Sequence, residues 1–108
     1  MNKESIIGSW PIHEMGNWDE DYIHMEEEAS IQFKSNNLGN LNFGLIKAQL
    51  EYIIDQETQR VEFTFDGVDE NDEVFGRGYV KVLRQTLEGK IFLHMSEQST
   101  FKTKKKKS

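Results

Sequence analysis

Two interleaved apolar sets run through residues 76–95, GRGYVKVLRQTLEGKIFLHM. Across a turn, Val80, Val82, Ile91, Leu93 and Met95 fall on one face, and Phe75, Arg77, Tyr79, Leu83, Phe92 and His94 on the other. Strand side chains alternate between faces with period 2, so the pattern predicts a hairpin with apolar weight on both faces. Glu88-Gly89 offers the turn between its strands. Elsewhere the alternation is one-sided. Ala29, Ile31 and Phe33 alternate with Ser30, Gln32 and Lys34, and Leu41 and Phe43 with Asn40 and Asn42. Leu50, Tyr52 and Ile54 then alternate with Gln49 and Glu51, and Val61, Phe63 and Phe65 with Glu62 and Thr64. A turn at 35–39, a loop at 55–59 and an acidic loop at 66–73 separate these runs. A parity slip near Ile46, beside Gly44, predicts a bulge or a short turn.

The first strand covers Ile6 to Met15 and contains Pro11. Proline lacks a ladder donor, so Pro11 predicts an edge, a bulge or a bend that could turn the corner of a barrel. Trp18, Tyr22 and Met25 follow at i, i+4 and i+7, with Asn17 as cap and Asp19, Glu20 and Asp21 in the first turn. A short helical or irregular segment near residues 17–27, lying as a lid on the sheet, is expected. The last strand ends at Phe101. Seven or eight short strands at about ten-residue spacing, without βαβ alternation, predict an all-β antiparallel barrel or sandwich. The second apolar face of the 74–95 hairpin needs a cover: the lid segment, a bound ligand or a second subunit.

Charge divides the chain. Five of its thirteen Lys and Arg residues lie at 102–107, leaving eight against nineteen carboxylates in residues 1–101, a net −11. We expect residues 1–101 to form the barrel domain and 102–108 a disordered basic tail. A body this acidic repels phosphate backbones, so nucleic acid is not an expected partner. No apolar run reaches the roughly 18 residues of a membrane span, and the N-terminus does not read as a secretory signal. Neither membrane nor export is therefore expected, and the cytoplasm is the expected location. The absence of cysteine removes disulfides, thiolate metal ligands and cysteine nucleophiles together.

Few residues carry candidate chemistry. His13, His24 and His94 are too scattered for a metal motif, and the acidic loop lacks EF-hand spacing, so no metal is expected. No nucleophile elbow, phosphate loop or dinucleotide fingerprint is present, which leaves no catalytic residues or cofactor to assign. A non-enzymatic role is expected. Arg77, set between two glycines, is suited to bidentate recognition of a carboxylate or phosphate. With Tyr79, His94 and Ser99, and Trp18 above them, it could line a pocket for a small, partly apolar, anionic ligand. The same residues also admit a structural reading. Arg77 would pair with a carboxylate of the 66–73 loop or Glu14, and His94 would hydrogen-bond to Glu97 or a backbone carbonyl. A ligand-binding monomer and a dimerisation or interaction module using the second hairpin face both stay open.

Gly8-Ser9-Trp10 is similar to the G-x-W opening of lipocalins and other calycin barrels. GSW, EMGNWDEDY, FGLI, VEFTFDGVDENDE, GRGYV and GKIFLHMSEQSTF resemble, over nearly the whole chain, a family of small uncharacterised bacterial proteins. The resemblance implies a single calycin/lipocalin-like antiparallel β-barrel of about 7–8 strands and brings no activity with it. The chain is shorter than a full lipocalin, and it lacks the disulfides and room for the C-terminal helix. A small or partly filled barrel is expected rather than a wide ligand cup.

Overall fold

Eight strands run alternately up and down and close into one antiparallel barrel in the computed structural model, which describes residues 1–107. They are β1 (Gly8–Met15), β2 (Ser30–Phe33), β3 (Leu38–Phe43), β4 (Ile46–Asp55), β5 (Arg60–Asp69), β6 (Asp72–Leu83), β7 (Thr86–Leu93) and β8 (Gln98–Thr103). Each pairs with its sequence neighbour, and β8 returns to β1, so no strand edge is left open. One helical turn, α1 (Glu20–Ile23), interrupts the series between β1 and β2. This architecture is consistent with the calycin-like expectation. No helix among the described residues is long and apolar enough to cross a membrane.

β1 serves two partners. Gly8 to Pro11 pair with β2, whereas Ile12 to Met15 pair with β8 across a register shift between Ile12 and Glu14. Pro11 lies at the changeover, where the strand turns the corner of the barrel. The parity set drawn from β2–β5 points inward, and Phe33, Phe43, Tyr52, Phe63 and Phe65 are all buried there with Trp10 and Phe101. Their rings meet edge-on or tilted: Phe33 lies 5.1 Å from Tyr52 and 6.3 Å from Phe63. An eight-stranded barrel is just wide enough to be filled by side chains, and this one is filled with rings.

Three expectations change. The β6–β7 turn falls at Arg84-Gln85, because Glu88 and Gly89 pair with Lys81 and Val80 inside the ladder. Gly89 gives up its side chain to the Phe101 ring, whose Cζ would lie 2.7 Å from a Cβ at that position. The acidic stretch 66–73 is mostly strand, with Asp66 opposite Phe75 and only Glu70-Asn71 in the turn. Its charges are tolerated because Asp66 and Glu73 are exposed on the wall. Finally, β8 runs through Thr103, and Lys104 and Lys107 donate backbone N–H groups to Pro11 and Ser9. Residues 102–107 therefore extend the β8–β1 seam. Lys106 Nζ donates to Ile7 O at 2.8 Å and sits 5.6 Å over the Trp10 ring, while Lys107 holds the Glu28 carboxyl below its usual range by a hydrogen bond.

Tyr52 is buried and its hydroxyl donates to Lys34 O at 2.5 Å. Burial raises its pKa, since the phenolate would lose its hydration. A raised folded-state pKa makes the unfolded chain release its proton first. The Tyr52 contribution is thus complete below about pH 10 and declines as pH rises above it. Urea midpoints measured from about pH 8 to about pH 11 should fall at the alkaline end, and Tyr52→Phe should flatten that fall. An unchanged alkaline slope in the variant would remove Tyr52 as its source.

Candidate functional site at the lid end

An up-and-down barrel gathers alternate connections at the same end. Residues 16–29, 44–45, 70–71 and 94–97 therefore surround one mouth. These four connections contain Asp19, Glu20, Asp21, Glu26, Glu27, Glu28, Glu70 and Glu97, and neither Lys nor Arg. The mouth is consequently the negative pole of the molecule.

The lid forms from local capping and then packs by its aromatic side chains. Asp19 is the N-cap, its carboxylate accepting from Tyr22 N at 2.9 Å, so the helix starts two residues beyond the expected Asn17 cap. Ile23 is fully buried beneath it, while Met25, expected on the apolar stripe, is exposed because α1 stops at Ile23 after one turn. Trp18 packs on Phe43 of the core at 5.1 Å and stacks with Tyr22 at 6.2 Å. Gly44 makes room for the Tyr22 ring. Its φ of +58° favours glycine, and a Cβ there would lie 2.3 Å from Tyr22 Cε2.

Between this lid and the ends of β5, β6 and β7 lies a cleft of about 370 Å³. Trp18 and Tyr22 contribute one side, and Phe75 and His94, stacked at 4.5 Å and 23°, contribute another. Asp69, Asp72, Glu73 and Glu97 supply its carboxylates, and no Lys or Arg lines it. Glu97 also accepts a hydrogen bond from the Asn17 amide, which ties the lid connection to the β7–β8 connection. Among the described residues no group of three or more His, Asp or Glu converges as a metal site. The chemistry available here is therefore π-faces and negative charge.

The five residues singled out from sequence separate in space. Trp18 and His94 both line the cleft. Arg77 and Tyr79 instead face outward on the wall, where the Arg77 guanidinium lies 4.3 Å over Phe92 and Arg60 lies 4.2 Å over Tyr79. Ser99 points inward and is buried. Its hydroxyl accepts from Asn17 N at 3.0 Å and donates to Thr100 O at 2.9 Å, so it anchors the lid connection to β8. Arg77 forms its close contact with a ring, and Arg60 forms the nearby ion pair with Glu62 at 2.7 Å. Asp69, Asp72 and Glu73 went unassigned in the sequence because they read as a solvated loop. The available signal was topological: the β5–β6 and β7–β8 turns open at the same end as the lid. No protein-family model, curated protein or solved structure matches the chain.

Proposed function

We propose that the protein is a small-ligand-binding barrel that uses its rim rather than its interior, and that the ligand is an organic cation with an apolar or aromatic body. The observation that carries this reading is the lid-end cleft, where aromatic rings stand on two sides and every formally charged lining group is a carboxylate. Ammonium and guanidinium groups are attracted to ring faces, and surrounding acid adds to that attraction. The cleft volume lies within the usual range for small-molecule sites. Trp18 and His94 are the ligand-contacting residues from the sequence set, with Ser99 holding the lid in place. Expectation of an anion rested on Arg77. Its position outside the cleft, with four carboxylates inside, favours the opposite sign.

The interaction-module reading draws on Phe75 and Leu83, which are exposed on the outer hairpin face. That face is broken by Arg77 and Lys90 over Phe92 and by Arg60 over Tyr79, which favours a solvated wall over an apolar dimer interface. Titration of tryptophan emission with phenyltrimethylammonium and with benzoate tests the cleft. The cation should give a saturable change and benzoate none, and Trp18→Ala or Asp72→Asn should weaken the cation about 2- to 30-fold. Saturation by benzoate alone, or undiminished cation binding in both variants measured by calorimetry, would overturn the reading.

A further inference from the structure

We infer that the open groove on the outer wall of β3–β6 is a second site, built to take a neutral carbohydrate chain. It has a volume of about 970 Å³ and adjoins the lid-end cleft across Glu73, Val74 and Phe75, which line both. The inference does not depend on the cleft's own ligand.

Register places the lining in two straight rows. Asn40 pairs with Gln49, Gln49 with Asp66, and Asp66 with Phe75, giving amide, amide, carboxylate and aromatic ring across four strands. The neighbouring row runs Leu38, Glu51, Thr64 and then Arg77, whose guanidinium lies over Phe92. All of these alternate with inward core residues, so their side chains share the outer face. Gln49 Nε2 donates to Asp66 Oδ1 at 3.2 Å, which fixes both groups. Among the described residues the side chains of Asn40, Glu51 and Thr64 make no hydrogen bond within the chain. The floor thus offers amide donors, carbonyl and carboxylate acceptors and a hydroxyl side by side.

That mixture selects its ligand. Sugar hydroxyls donate and accept at once, and amides and carboxylates answer them in pairs. The other face of a sugar ring is C–H and packs on an aromatic ring. Phe75 is 48% exposed at one end of the row, with its ring stacked on His94. An anionic ligand would meet Glu51, Asp66 and Glu73, with Lys34 the sole cation in the lining. An extended peptide would find no open edge to extend, because the barrel is closed. Four strands span roughly 14 Å, room for about two or three sugar rings.

Calorimetric titration with a panel of neutral hexasaccharides (β-1,4-glucan, β-1,4-xylan, β-1,4-mannan, α-1,4-glucan) tests the inference. At least one should bind, with affinity unchanged at about 0.5 M salt, since its contacts are uncharged on the ligand side. Phe75→Ala and Asn40→Ala should each weaken it about tenfold or more, with unaltered circular dichroism establishing the fold. Failure of the whole panel at about 10 mM, equal binding by both variants, or binding that salt abolishes would overturn the inference.

Discussion

Phe33→Ala should destabilise the protein by about 3–5 kcal/mol, a large part of the roughly 5–15 kcal/mol that holds a domain together. Phe33 is 1% exposed, and its ring packs edge-to-face with both Tyr52 and Phe63. Truncation removes the buried ring and leaves a cavity whose walls belong to different strands of a closed barrel. Closed hydrogen bonding keeps those strands from moving together to fill it. Urea denaturation should show a lower midpoint with an unchanged slope, accompanied by a fall of more than about 10 °C in melting temperature. Phe33→Leu, which retains most of the volume, should recover over half of the loss. A cost below about 1 kcal/mol for the alanine variant would mean that the interior is far looser than a packed barrel.

Gly39→Ala should be comparably damaging although it adds a single methyl group. A Cβ on Gly39 would lie 1.9 Å from Gln32 O on the neighbouring strand and 3.0 Å from Leu50 Cδ1. The carbonyl is backbone, so relief requires β2 and β3 to separate where Gln32 and Asn40 pair. The expected cost is at or above the top of the about 1–3 kcal/mol range for overpacking. Gly16→Ala is the matched comparison. Its nearest clash is with Thr100 Oγ1 at 2.6 Å, a side-chain atom that can rotate away. Equal losses in the two variants, read from urea midpoints, would show that strand proximity at Gly39 is not the cause.

The class of fold follows from local periodicity. Ile31 and Phe33, Leu41 and Phe43, Leu50 and Tyr52, and Val61, Phe63 and Phe65 are inward in the barrel as their alternation predicts. Period 2 is a property of each strand alone, and one apolar face per strand is sufficient to tell inside from outside. The hairpin was ambiguous because both of its faces are apolar. Closure places Val80 and Ile91 inside, along with Gly76, Gly78 and Gly89. Those glycines leave space for the Phe65, Phe63 and Phe101 rings, which lie within 3.0 Å of where their Cβ atoms would be. The opposite face keeps Arg77, Tyr79, Phe92 and His94 outside the packed interior.

Sequence alone therefore determined the all-β class, the lid segment and most of the inward set, because each depends on neighbours a few residues away. Tertiary structure decided which hairpin face is core, moved the turn from Glu88-Gly89 to Arg84-Gln85, and set residues 102–107 along β1. It also made the cleft, by joining Trp18 to His94 and to Asp69, Asp72 and Glu73 from separate connections. Those choices depend on how strands curve and close around rings supplied by distant strands, and no local alternation of side chains carries that information.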